Sequence, residues 1–326
     1  MSLRPQIERL RHPGWCLNLV EVGGLEAGEQ VLVVVDEPLL EEGAQLAATV
    51  QDAGGRPRLE LWAGWRPLEH PPRPILDAAD QSSLAYFLSE EPLAEEAAAR
   101  LELGERLSSH HGREIFMGFV DSELLRGELS DPVPDLSEPA DRVLAAVRDA
   151  EHVRVRGAAG SDLSLRVGGR PWLTDIGRLL PGRMANFPGG EVYVAPYEDS
   201  AVGVLVADLT VPYTVEGLVD EPVTLRFDGG RVISIEGGEA ARLLRRLVNE
   251  AGEGADVVAE LGIGLNPAVR PRGHIMLDEK AAGTAHVAIG RNTGQYGGVN
   301  EATIHVDCVF SAPELEADGR SVELRP

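Results

Sequence analysis

The sequence predicts a two-domain chain: an α/β domain with a parallel sheet over residues 1–150, followed by a β-rich α+β domain over residues 151–326. Three observations carry this. The chain has 326 residues, more than one typical core accommodates. Residues 30–36 (QVLVVVD) form a continuous β-branched run, the signature of a strand buried on both faces. From Glu151 onward the rhythm changes to short strand-like segments divided by Gly, Asp and Pro turns.

In the first domain, apolar residues at helical spacing follow the first strand over residues 39–53. Gly54-Gly55 ends that helix, and residues 57–62 read as the next strand. This βαβ unit requires a parallel sheet. The loop Asp36-Glu37-Pro38 is no glycine-rich phosphate cradle, so a nucleotide site has no support there. A short strand over 84–88, an Ala/Glu-rich helix over 92–110, a Pro- and acid-rich loop over 130–139 and a helix over 140–150 complete the domain. In the second, strands are expected over 152–156, 162–167, 191–195, 201–209, 223–227 and 231–236, with a hairpin at Asp228-Gly229-Gly230 and a helix over 239–250.

The formal net charge is -23, from 53 acidic and 30 basic residues. That charge repels nucleic acid and anionic membrane surfaces and draws cations. Basic residues are almost all Arg. The lone lysine, Lys280, reads as part of that compositional bias, without mechanistic weight. Cys16 and Cys308 provide no Cys-x-x-Cys metal pattern. Residues 1–20 lack the apolar core of a signal peptide, and no apolar run approaches the ~20 residues of a membrane span, so a cytoplasmic location is expected.

Four segments carry the chemistry. In Ile304-His305-Val306-Asp307, residues i and i+2 of a strand share a face, so His305 and Asp307 project together. Ile304, Val306 and Val309 are expected to point the other way. His286 stands in the apolar strand GTAHVAIG, followed by the glycine-rich GQYGG that holds Tyr296. Glu191 opens the strand after Pro188-Gly189-Gly190, and Glu260 stands in VVAELGIG; neither acid has an adjacent basic residue. A buried acid needs a donor, a cation or a metal. Five N/O donors without sulfur suit zinc, cobalt, manganese or iron, and suffice for two ions sharing a carboxylate.

These stretches resemble the aminopeptidase T family of metallopeptidases (the AmpS/PepS type). The resemblance covers residues 160–172 (GSDLSLRVGGRPW), 186–196 (NFPGGEVYVAP), 260–267 (ELGIGLNP), 278–290 (DEKAAGTAHVAIG) and the final His305-x-Asp307. It implies an α/β N-terminal domain, a C-terminal domain holding two divalent ions (zinc, cobalt or manganese), a homodimer and removal of N-terminal residues from peptides. The family's ligands fall on Glu191, Glu260, His286, His305 and Asp307. Where the family has a tyrosine, seven residues past its first histidine, this chain has Thr293. Tyr296 is the nearby substitute, with an oxyanion-stabilising role. Glu279 and Glu198 are candidates for binding the substrate's α-amine. A shorter branch includes an iron enzyme that opens 2,5-dihydroxypyridine, and His286, His305 and Asp307 supply its two-histidine, one-carboxylate set. A third reading is a binding or scaffold protein that has lost catalysis.

Overall fold

The structure, a computed structural model, describes residues 12–177 and 179–324; the N-terminal residues 1–11 weighed above lie outside the described residues. Contacts divide the chain into two units: the chain up to Val133 together with Gly177–Pro188, and Pro134–Ile176 together with Gly189 onward. Among the described residues no helix is long and apolar enough to cross a membrane.

The first unit begins with helix α1 (Gly14–Val22) and strand β1 (Gln30–Val35), whose last five residues are all buried. Helix α2 (Leu40–Asp52) returns the chain to β2 (Arg56–Leu61), which runs parallel to β1. Pro57 is tolerated there because β2 is an edge strand. Helix α3 (Arg73–Ala79), β3 (Leu84–Ser89), α4 (Ala97–Ser108) and β4 (Arg113–Gly118) continue the alternation. Helix α4 is shorter than the expected 92–110. A 3-10 turn, Ala94–Glu96, precedes it, and the Glu96 carboxylate turns inward to accept from Trp62 Nε1 (3.1 Å), Arg66 Nε (2.8 Å) and the Leu68 amide (2.9 Å). The short helix α5 (Ser122–Arg126) follows, capped by the Asp121 side chain.

In the second unit, helix α6 (Ser137–Val147) starts three residues before the expected position. Pro139 falls in its first turn, where an amide has no helical partner to lose. Strands β5 (His152–Arg156) and β6 (Asp162–Arg166) form a hairpin, and β7 (Leu173–Asp175) follows. The chain then contributes β8 (Met184–Asn186) to the first unit, parallel to β4, giving the order β2-β1-β3-β4-β8. The sequence held no signal for β7 or β8; three-residue strands are too short for periodicity to show.

After β9 (Glu191–Val194), strands β10 (Val202–Ala207), β11 (Val223–Asp228) and β12 (Arg231–Glu236) build an antiparallel meander onto β6. Helix α7 (Glu239–Ala251) packs on its end. Then come β13 (Val258–Gly264), the single-turn helix α8 (Ile275–Asp278), β14 (Thr284–Gly290) and β15 (His305–Ser311). The terminal hairpin β16 (Glu314–Ala317) and β17 (Arg320–Val322) extends the meander into a seven-stranded sheet. The other sheet of this unit runs β15-β14-β13-β9-β7, antiparallel throughout.

Glu114 on β4 is the odd group in the first unit's core. It is 3% exposed, and its Oε2 has no hydrogen-bond partner. Burial pushes its carboxyl from the ordinary 4.5 up to about 8, against the pull of Arg100. The folded state therefore holds this proton more tightly than the unfolded chain. Stability is complete below the unfolded value and falls as pH rises towards 8. Glu114→Gln should remove that slope. Its stability relative to the parent should grow between pH 5 and 8 by on the order of 1 kcal/mol per pH unit in urea unfolding; parallel curves would contradict the assignment.

Candidate metal centre

One face of the β15-β14-β13-β9-β7 sheet gathers the polar side chains. Register pairs Asp175 with Glu191, Glu191 with Gly264, Tyr193 with Gly262, Gly262 with His286, Ala288 with Asp307 and Gly290 with His305. Paired residues share a face, so five strands present Asp175, Glu191, Tyr193, Glu260, His286, His305 and Asp307 together. The alternate residues Val192, Leu261, Ile263, Val287, Ile289, Val306 and Cys308 are fully buried on the other side. Val309 departs from expectation. It pairs with His286 and lies on the polar face, because it is two residues beyond Asp307 and the side-chain period is two.

The five expected donors converge. His286 Nε2 lies 3.5 Å from Glu191 Oε2, 3.4 Å from Glu260 Oε1 and 3.8 Å from Asp307 Oδ1. His305 Nε2 lies 3.3 Å from both Glu260 Oε2 and Asp307 Oδ1. The donor atoms form two sets, Glu191–Glu260–His286 and Glu260–His305–Asp307, each with its atoms within 4.8 Å of one another. Glu260 belongs to both.

Room for this comes from Gly262. A methyl at its Cβ position would stand 2.1 Å from His286 Cε1 and 2.2 Å from Nε2. The imidazole therefore lies across bare backbone, a close approach only glycine permits. His305 is oriented from its other nitrogen: Nδ1 donates to the Arg291 carbonyl at 2.7 Å, which turns Nε2 towards the carboxylates.

Lys280 is the residue that sequence reading undervalued. The chain's single lysine is 1% exposed, and its ammonium pairs with Glu191, with Glu279 at 3.1 Å and with Asp175 at 3.8 Å. Burial disfavours its charge, but these three carboxylates outweigh burial and hold the ammonium well above its ordinary range. Its backbone is fixed as firmly. Asn266 exchanges hydrogen bonds with the 280–282 segment (2.8 and 2.9 Å) and donates through its side chain to the Gly189 carbonyl. Buried Asp278 accepts from the Arg272 and Gly273 amides and from Thr210. The signal in the sequence was rarity: one lysine where every other cation is Arg. Asp175 had no comparable signal.

Counting charges tests the fit to a cation. Asp175, Glu191, Glu260 and Glu279 are buried and Asp307 nearly so, five carboxyl groups against one ammonium and two imidazoles, and burial pushes the Glu191 carboxyl up to about 8 despite Lys280 and His286. Glu191 Oε2 makes no hydrogen bond. The acids pull both imidazoles towards the charged form: although burial opposes it, His286 is raised to about 9 and His305 well above its ordinary value. Such crowding of buried anions fits divalent cations better than any further side chain present.

Tyr296 closes one side. Its ring stacks on His305 (centroids 5.2 Å, 27°) and meets Tyr193 edge-on at 5.6 Å. Burial and the nearby carboxylates hold both phenols protonated, well above the ordinary 10. Glu279 faces the cluster. Glu198 does not serve as an amine site: its carboxylate is used by Arg170 Nη2 (2.6 Å), Asn292 Nδ2 (2.9 Å) and the Val299 amide (2.9 Å).

Fold and cluster together define an α/β protein with an antiparallel sheet bearing a buried carboxylate–imidazole centre suited to metal. A family model described as NicX, 2,5-dihydroxypyridine 5,6-dioxygenase, matches residues 111–324. The chain belongs to that family, which it shares with aminopeptidase T and AmpS. It is 30% identical over 200 residues to 2,5-dihydroxypyridine 5,6-dioxygenase of Pseudomonas putida, covering 56% of each chain. To aminopeptidase T of Thermus aquaticus it is 28% identical over 182 residues, 49% of this chain and 43% of the relative. The matched stretch thus spans about half the length of these curated relatives. The fold is that of the solved P. putida 2,5-dihydroxypyridine dioxygenase (TM-score 0.76, 20% identity, 95% of this chain and 94% of that one) and of AmpT from Thermus thermophilus (TM-score 0.67, 18% identity, 99% and 100%).

The role of Gly262 is directly testable. Gly262→Ala should displace the imidazole of His286 and weaken zinc binding by about 10–100-fold, as disturbing a ligand's support does, with an unchanged far-ultraviolet circular dichroism spectrum. Equal affinity in calorimetric titration would refute it.

Proposed function

We propose that this chain is a metal-dependent hydrolase that removes N-terminal residues from peptides, whose divalent cations would be held by two donor sets that have Glu260 in common. The arrangement of Glu260 carries the reading. Its Oε1 faces His286 and its Oε2 faces His305, so the carboxylate spans the two donor sets. Glu191 and His286 would complete one side, His305 and Asp307 the other, a donor chemistry that suits zinc, cobalt or manganese. When bound, such ions supply a water of lowered pKa and polarise the scissile carbonyl.

The chain's own groups account for the rest. The Tyr296 phenol, held neutral beside His305, is a hydrogen-bond donor for the oxyanion that develops on the carbonyl. Glu279, beside Lys280, is the remaining candidate to meet the substrate's α-ammonium, in exchange for its contact with Lys280. Lys280 holds Glu191 and keeps the cluster from collapsing on its own repulsion. The Tyr296 ring lies along His305, with Tyr193 edge-on behind it, and walls that side of the site.

A second reading has its own support. Lys280 already neutralises Glu191, which leaves His286, His305 and Asp307 as a two-histidine, one-carboxylate set for a single iron. The family model's description and the P. putida relative favour ring cleavage of a dihydroxypyridine.

One experiment separates them. The full chain, freed of metal and reloaded with zinc, cobalt, manganese or iron(II), is given aminoacyl-nitroanilides and, separately, 2,5-dihydroxypyridine with oxygen uptake followed. The hydrolase reading expects nitroaniline release with zinc, cobalt or manganese. His305→Ala should lower both bound metal and turnover by more than about 100-fold, beyond the effect of losing a group that only supports a ligand. Thr293→Tyr, which restores the family's residue, should raise turnover. Oxygen uptake with iron and no peptide cleavage under any metal would overturn the hydrolase and establish the second reading.

A further inference from the structure

We propose that Arg170 and Glu198, a half-buried ion pair beyond the donor cluster, position Tyr296 over it. The inference rests on the role given to Tyr296 above. Residues 291–304 link β14 to β15, and Tyr296 lies between Gly294, Gly297 and Gly298. Gly294 and Gly297 take φ of +72° and +76°. So glycine-rich a loop spends much backbone entropy on being ordered and would not hold one aromatic ring at a fixed angle unaided.

The pair supplies the missing constraint at three points around Tyr296. Glu198 Oε1 accepts from Asn292 Nδ2 and from the Val299 amide, both at 2.9 Å, and so ties the two arms of the loop to one atom. Glu198 Oε2 takes Arg170 Nη2 at 2.6 Å, and Arg170 Nη1 reaches the Gly297 carbonyl, one residue past Tyr296, at 2.5 Å. The guanidinium lies over the Tyr197 ring at 4.5 Å, and the arginine side chain is 9% exposed. Burial works against the Glu198 charge, but the Val299 amide, Asn292 and Arg170 outweigh it and leave the carboxyl below its ordinary value. It is therefore an anion at neutral pH, and its bonds are of the strong, charge-assisted kind.

Inside the loop, Asn292 Oδ1 accepts the Asn300 amide at 2.8 Å, and Asn300 Nδ2 donates to the Gly254 and Gly290 carbonyls. The arms are thus closed on each other, and the Arg170–Glu198 pair closes the tip. Only the planar fork of arginine serves both Glu198 and Gly297. Lysine at 170 could keep one contact but not both. Glutamine at 198 keeps the volume and turns an amide nitrogen towards the arm or the guanidinium.

The test uses the zinc-loaded full chain and two variants, Glu198→Gln and Arg170→Lys. Amide hydrogen exchange over residues 292–300 should quicken by about tenfold or more in both, as expected for losing a charge-assisted bond, with β13, β14 and β15 unchanged. A cycle with Tyr296→Phe then asks whether the pair acts through the phenol. Glu198→Gln should lower kcat with KM little changed in the parent, and that penalty should largely vanish once Tyr296 is Phe. Unchanged exchange in both variants overturns the proposal, as does loosening that spreads through the sheet. Additive kcat losses in the cycle overturn it too, by showing that the pair acts other than through Tyr296. If the parent cleaves no peptide, the hydrolase reading fails on its own, and loop exchange decides whether the pair fixes Tyr296.

Discussion

Mutual repulsion of buried carboxylates is the constraint around which the second unit is arranged. Asp175, Glu191, Glu260 and Asp307 from the sheet and Glu279 from the turn after α8 crowd one site, with Lys280, His286 and His305 as their only partners of opposite charge among the described residues. Burying an anion costs several kcal/mol unless a cation or donors compensate. A fold that keeps five so close must gain something from the arrangement, and bound cations are what such a cluster favours.

Around that constraint the neighbouring residues divide the work. Gly262 gives up its side chain so that His286 can lie across β13. The Arg291 carbonyl sets the face that His305 turns inward. Asn266 and Asp278 fix the backbone on either side of Lys280, so the ammonium is placed rather than drawn in by charge alone. The antiparallel sheet makes this economical, because each strand contributes donors at alternate positions while its other residues fill the core.

The donors were legible because their context was wrong for ordinary acids and histidines. Glu260 in VVAELGIG and His286 in TAHVAIG interrupt apolar strands, and His305 with Asp307 obeys the strand period. The βαβ rhythm of the first unit showed equally well in QVLVVVD and the helix after it. What stayed hidden depends on long-range pairing. β7 and β8 have three residues each and exist only through their neighbours in the sheet. Asp175 joins the cluster because β7 pairs with β9, which nothing local in Thr174-Asp175-Ile176 foretells. Glu198 was a candidate for the substrate's α-amine, yet its partners at 170, 292 and 299 are remote in sequence and occupy its carboxylate. Lys280 was visible and misread, because composition explained the arginines and seemed to explain their exception.

The central claim is that Glu260 joins two cation sites. The most direct measurement is a crystal structure of the full chain loaded with zinc, with anomalous diffraction collected on both sides of the zinc edge. The account predicts two anomalous peaks, one against Glu191 and His286 and one against His305 and Asp307, each in contact with a different oxygen of Glu260. A single peak held by His286, His305 and Asp307, with Glu191 still closed on Lys280, would contradict it.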